Sequence, residues 1–255
     1  DITHTLLKSD IADSVFEDIM SRLKKAIEDA QKVRSGEIDK KDVEQIIKMY
    51  GAGRAASIDL RLYTPSDKGD IYNATDSFEE DTNPETSKIA KTVQLASDKY
   101  KQDNESGQLI FIDLLNFKHG GGSTHASIRE RIIAETGLSP EKVVFANGSS
   151  YSDPRTGNVS KTGPDSKKLQ QIMKAYNAGE IKVLIGNTAK LGVGVDLQVT
   201  TTDIYQIDIP YRPDEIEQRN NRGVRQGNRN DSVNVHTFIT PGTFDEMSYR
   251  LIANK

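Results

Sequence analysis

The chain has 255 residues, 35% of them hydrophobic and 28% charged, with a formal net charge of −4 and a mean hydropathy of −0.61. That is enough for one large domain or two small ones, and no apolar run approaches the ~20 residues of a membrane span. Cysteine is absent, which excludes disulfides, a thiol nucleophile and a cysteine zinc site and fits a reducing cytoplasm. The four histidines (His4, His119, His125, His236) are scattered, so no metal site is expected. The start, Asp1-Ile-Thr-His4, lacks the basic region and apolar core of a signal peptide. It does not open on methionine, which predicts an excised piece of a longer polypeptide. The acidic balance does not advertise nucleic acid. Any such binding is expected to be local, and residues 212–229 hold five arginines against three carboxylates.

Residues 10–33 read as a long amphipathic helix, with Ile11, Val15, Ile19, Leu23 and Ile27 in a stripe widened by Ala12, Phe16 and Met20. A shorter helix is expected over 40–50, with Val43, Ile46 and Ile47 inward and Gly51-Ala-Gly53 as its stop. The pair reads as a helical hairpin packed on a neighbouring domain. Residues 54–63 mix helix and strand signals. Residues 64–85 are acidic, rich in Ser, Asp, Asn and Pro, and read as a long loop. Helical spacing returns with Ile89, Val93 and Ala96 and ends near Tyr100.

From residue 107 the pattern is regular. Residues 108–115 form a continuous apolar run, as expected of a strand buried on both faces. A glycine-rich turn at 119–124 leads to a helix with Ile128, Ile132 and Ile133 inward, closed by Gly137. A strand follows at 142–146, then a polar loop over 147–164. Asp165 caps a helix whose core face is Leu169, Ile172, Met173 and Tyr176, stopped by Gly179. Strands are expected at 182–186, 203–209 and 233–239. Thr243-Phe-Asp-Glu246 is a capping box for a last helix. Alternating strands and helices, with strands too apolar for a wet face, predict an α/β fold with a parallel sheet flanked by helices. Ligands in such folds sit beyond the carboxyl ends of the strands, which directs attention to the loops after 182–186 and 203–209.

The first of these loops, 187–198, carries Gly192 and Gly194, whose backbone N–H groups can approach a phosphate or ribose. Asp196 can accept from ribose hydroxyls, and Thr188 and Lys190 can donate to phosphate oxygens. The second leads to a helix expected over 213–228. Pro213 suits its first turn, Asp214 and Glu215 its positive end, and Gly227 its stop. Gln218, Arg222 and Arg225 follow at i, i+4 and i+7 and are expected on one face. Neighbouring cations repel, so this face suggests an anion opposite it, although a pair of arginines taken alone reads first as a solvated basic helix.

Gln218-Arg-Asn-Asn-Arg-Gly-Val-Arg-Gln-Gly227 resembles motif VI of superfamily 2 helicases and translocases, Q-R-x-G-R-x-x-R-x-G. Thr188-Ala-Lys-Leu-Gly-Val-Gly-Val-Asp196 resembles motif V, residues 108–115 resemble motif IV, and 233–246 are similar to the strand and T-x-x-E helix of Swi/Snf-type ATPases. Leu184-Ile-Gly-Asn-Thr-Ala-Lys190, Asp208-Ile-Pro-Tyr-Arg-Pro-Asp214, Gln226-Gly-Asn228 and Gly242-Thr-Phe-Asp-Glu246 resemble most the large helicase–methylase proteins of phages and conjugative elements. The likeness is strong over 107–255 and weaker at Ala55-Ala-Ser-Ile-Asp-Leu-Arg-Leu62 and Ser87-Lys-Ile89; residues 1–50 carry no recognised motif. Asn221 stands where motif VI has glycine. A methylase Asn/Asp-Pro-Pro-Tyr loop, a G-x-x-x-x-G-K-[ST] loop and an Asp-Glu-x-His box are all absent.

The resemblance implies a RecA-like helicase C-terminal domain at 107–255, a lead-in segment with an acidic loop at 51–106 and a helical extension at 1–50. It implies the second ATPase lobe of a DNA helicase or translocase in a bacterial or phage-infected cell. The first lobe, holding the ATP phosphates and Mg²⁺, is then expected outside this chain, and the isolated chain is expected to be inactive. Arg225 would be the arginine finger, Arg222 would face the β/γ-phosphates, and Gln218 would order the water or γ-phosphate. Gly194 and Asp196 would contact the nucleotide, and Thr188 and Lys190 a nucleic-acid phosphate. The implied partners are the other lobe, DNA and a methyltransferase module of the same polypeptide. The competing expectation is a degenerate lobe that only binds nucleic acid or another protein; a sugar-transfer lobe fits the arginine motif poorly.

Overall fold

The computed structural model describes residues 2–6, 10–31, 40–63, 79–114, 123–191, 196–210 and 212–253. Most of the acidic stretch (64–78), the glycine turn before Ser123, and both Gly192 and Gly194 lie outside them.

The centre is an eight-stranded sheet in the order β1-β8-β7-β2-β6-β3-β4-β5. Its strands are β1 (Ile2–Leu6), β2 (Gly107–Phe111), β3 (Val143–Ala146), β4 (Tyr151–Ser152), β5 (Val159–Ser160), β6 (Val183–Gly186), β7 (Thr201–Gln206) and β8 (Asn234–Ile239). All pairings from β1 to β3 are parallel, and β4 and β5 add an antiparallel edge within the expected polar loop. The helices are α1 (Asp10–Gln31), α2 (Lys40–Ile58), α3 (Lys88–Gln102), α4 (Thr124–Thr136), α5 (Ser166–Asn177), α6 (Thr188–Leu191), α7 (Pro213–Gly223) and α8 (Phe244–Ala253).

The strands are apolar throughout because both faces are covered. Successive residues alternate between two cores. Ile110, Val143, Phe145, Ile185 and Tyr205 pack with Ile89, Val93 and Ala96 of α3 and Ile128 and Ile132 of α4. Leu109, Phe111, Val144, Leu184 and Ile204 pack on the other face with Ile172 and Tyr176 of α5. Local signals set the helix ends. Ser87 and Asp165 accept from the N–H groups of Ala90 and Lys168, and Gly137 ends α4 at φ 70°.

Residues before β2 depart from expectation in three ways. Ile2–Leu6 is a strand, paired in parallel with β8, and it carries too few residues for a periodic signal. Gly51 and Gly53 do not stop α2, which runs to Ile58 across the boundary drawn at residue 50. A side chain at Gly53 would overlap the Phe244 ring, so this glycine permits close helix packing instead of a turn. Of the residues expected inward on α2, Ile46 packs on the third core with Phe16, Ile19, Leu23 and Phe244, whereas Val43 and Ile47 are exposed.

Candidate active site

Three neighbouring strands, β7, β2 and β6, end side by side, and each delivers one polar residue just past its carboxyl end: Asp208, Asp113 and Thr188. Arg219 of α7 joins them. Its side chain is fully buried. Nε donates to Thr188 Oγ1 at 2.8 Å, Nη1 to the Asp208 carbonyl at 2.8 Å, and Nη2 to Asp113 Oδ2 at 2.8 Å and Asp208 Oδ1 at 3.0 Å. Its guanidinium lies 5.5 Å from the centre of the Phe111 ring. Thr188 closes the circuit, its N–H donating to Asp113 Oδ1 at 2.7 Å and its hydroxyl to Asp113 Oδ2 at 3.2 Å. Burial would raise the Asp113 carboxyl, but the Arg219 charge and the Thr188 hydrogen bonds hold it below its ordinary value.

This buried node fixes α7 against the loops after β2 and β6. Three further contacts set the helix. Gln206 of β7 donates to Asn220 Oδ1 at 2.7 Å. Gly223 packs against β7, where a side chain would meet Thr201 Cγ2 at 2.6 Å. The Asn228 amide takes the Gly223 carbonyl at 3.2 Å and the Thr201 carbonyl at 2.8 Å. The helix therefore ends at Gly223, not at Gly227, which stands at φ 93° in the turn beyond. Arg225 consequently lies past the helix and is not on its face.

Gln218 and Arg222 stay on α7, partly exposed, while Arg225 is exposed and ion-paired with Asp196. Burial and the nearby Arg225 charge lower the Arg222 guanidinium from its ordinary value, with Asp196 opposing. Two arginines crowd each other at the C-terminal end of α7, beside the start of β7, an arrangement suited to an anion such as a nucleotide phosphate. Asn221, at the position of the family's glycine, is an exposed helical residue, and no described non-glycine residue has positive φ, so the substitution carries no backbone strain. Lys190 is partly exposed on α6, next to the buried Thr188, whose hydroxyl is engaged by Arg219 and Asp113. Gly186 lets α6 fold back, because a side chain there would overlap Leu191. Gly194 lies outside the described residues.

Sequence reasoning gave no role to Asp113, Asp208 or Arg219. A carboxylate directly following an apolar strand, at Asp113 and again at Asp208, was the available signal. Arg219 sits inside the motif but off the face that Gln218 and Arg222 share, so helical spacing passed over it.

No family model matches the chain. It is 27% identical over 208 residues to "Defense against restriction protein B" of Escherichia phage P1, a match covering 68% of this chain and 9% of that protein. The chain thus spans under a tenth of the length of that curated relative. Its fold is that of the C-terminal lobes of Swi2/Snf2 ATPases. The C-terminal part of the Fun30 ATPase domain superimposes with a TM-score of 0.61 at 15% identity, covering 99% of this chain and 89% of that one. The Sulfolobus solfataricus SWI2/SNF2 ATPase core domain does so with a TM-score of 0.58 at 17% identity, covering 100% of this chain and 42% of that one. At these identities the likeness establishes the RecA-like α/β fold.

Proposed function

We propose that this chain is the second ATPase lobe of a superfamily 2 DNA helicase or translocase. The observation that carries the reading is the Arg219 node. One buried arginine locks the motif VI-like helix to the motif V-like loop and the end of the motif IV-like strand. From that node α7 runs back along β7, presenting Gln218 and Arg222 on the way and leaving Arg225 in the turn beyond its end, near the first residue of the strand. Phosphoryl transfer needs positive charge placed against the transferring phosphate, worth on the order of 10³–10⁵ in rate for an arginine finger.

In this reading Arg225 is the finger, Arg222 faces the β/γ-phosphates and Gln218 orders the attacking water. Asp196 and Gly194 contact the nucleotide. Arg225 leaves Asp196 when a phosphate arrives; both side chains of that pair are more than half exposed, at 57% and 64%, so the exchange costs little. Lys190, beside Thr188 on α6, contacts a phosphate of the DNA strand. Mg²⁺ and the remaining ATP contacts come from a first RecA-like lobe that closes on this one. The phage P1 relative is named for defense against restriction, and an ATP-driven DNA motor in the cytoplasm of an infected bacterium accords with that name.

The test is Arg225→Ala in the protein that holds both lobes. DNA-stimulated ATP hydrolysis should fall by about 10³-fold or more, while binding of a fluorescent ATP analogue stays near the unmodified level. Full hydrolysis would remove Arg225 from the chemistry and leave a lobe that only binds. Joint loss of binding and turnover with the fold intact would reassign it to ground-state binding.

A further inference from the structure

The node described above does not balance its own charge. One guanidinium, Arg219, faces two carboxylates, Asp113 and Asp208. The second cation comes from outside the motifs. Arg54, on α2, places Nη2 3.2 Å from Asp208 Oδ2. The same oxygen accepts the Asp113 N–H at 3.1 Å, while Oδ1 of Asp208 takes Arg219 at 3.0 Å. The Asp208 side chain is 1% exposed and that of Arg54 24%. With Arg54 present the four side chains sum to zero. Without it a net negative charge would remain around the buried Asp208 carboxylate, and buried uncompensated charge is costly.

The α2 helix is itself anchored next to this point. Asp245 of α8 is ion-paired with the buried Lys88 at the start of α3 and accepts from Ser57 Oγ of α2 at 3.0 Å. Ser57 is one turn from Arg54, so Arg54 is held on a rigid element.

We propose that Arg54 is a positioning residue for ATP hydrolysis. It neutralises the second carboxylate of the Arg219 node and keeps α7 and its arginines poised for an anionic substrate. The α2 helix thereby becomes part of the catalytic lobe. This inference rests on the ATPase reading above.

The experiment measures DNA-stimulated ATP hydrolysis by the full-length protein carrying Arg54→Ala, Arg54→Gln or Arg54→Lys, with thermal unfolding recorded for each. Misplacement of catalytic groups by a remote change can cost as much as about 100-fold in rate, so the expected fall in kcat for the alanine and glutamine variants is about 10- to 100-fold. The KM for ATP should change little, and lysine, which restores the charge, should recover most of the rate. Glutamine removes the charge but keeps the three-carbon stem and a polar head, and so guards against a simple packing defect. A glutamine variant at the unmodified rate, or a lysine variant as slow as glutamine, would overturn the charge-balancing role. A glutamine variant that fails to fold would overturn positioning in favour of stability alone. An unmodified full-length protein that hydrolyses no ATP would sink the ATPase reading and this inference together, whereas a fully active glutamine variant sinks this inference only.

Discussion

Three arginines within seven residues take three different parts, and burial decides which. Arg219 is fully enclosed, makes four hydrogen bonds and holds the strand ends together. Arg222 is half-sheltered, and Arg225 is exposed beside Asp196. A guanidinium whose three nitrogens all donate is a structural clasp, while an exposed one can exchange a carboxylate for a phosphate. His125 makes a separate residue-scale case. It is buried at the start of α4, with Nδ1 3.3 Å from Thr124 Oγ1, and burial lowers its pKa from 6.5 to about 4. The unfolded chain therefore takes up this proton first. The stability it contributes is complete above the unfolded value and is lost as pH falls toward the folded one. Linkage gives a loss of roughly 2 kcal/mol between about pH 7.5 and about pH 5. Urea unfolding at the two pH values should show that much less acid sensitivity in His125→Phe than in the unmodified chain; equal sensitivity would mean that His125 is protonated in the folded state.

At the scale of the element, α2 carries two glycines in mid-helix, and the two differ. Nothing lies within 4 Å of a side chain built at Gly51, whereas one at Gly53 would overlap the Phe244 ring of α8. Helix propensity alone favours alanine at either position by about 0.5–1 kcal/mol. Gly51→Ala should therefore stabilise the chain by that amount. Gly53→Ala should destabilise it by about 1–3 kcal/mol, the usual cost of overpacking. Thermal melts of the two variants decide the point, and a gain in both would show that α2 and α8 are not tightly packed at this contact. The same contact keeps α2 close to the sheet, within reach of Asp208 through Arg54.

At the scale of the whole molecule, α7 carries the site from the Arg219 node at the carboxyl ends of the strands to Arg225 near the start of β7. Gln218, Arg222 and Arg225 meet no nucleotide-binding loop of the G-x-x-x-x-G-K-[ST] type anywhere in the chain. The proposed chemistry then needs a second lobe opposite these residues. The chain alone should show no DNA-stimulated ATP hydrolysis, and supplying the first lobe in the same polypeptide should restore it. A steady-state ATPase assay on both proteins checks this, and turnover by the isolated chain would contradict the two-lobe arrangement.

The sequence by itself determined the parallel sheet, the cores contributed by α3, α4 and α5, and the neighbourhood of the site. Apolar runs bounded by caps and glycines are local features, and hydrophobic periodicity reports them directly. Two glycines in one loop and a spaced set of arginines in the next pointed to an anion. Only the tertiary structure decided the rest. Ile2–Leu6 is a strand because β8, far away in the chain, offers it an edge. Gly53 is a packing residue because Phe244 lies over it. The 213–223 helix ends early because Asn228 folds back onto its last carbonyl. Arg219 is the hub because Asp113, Thr188 and Asp208, separated by up to 95 residues, end up at three adjacent strand tips. Such roles depend on which groups share a desolvated space, and spacing along one element carries no information about groups delivered by others.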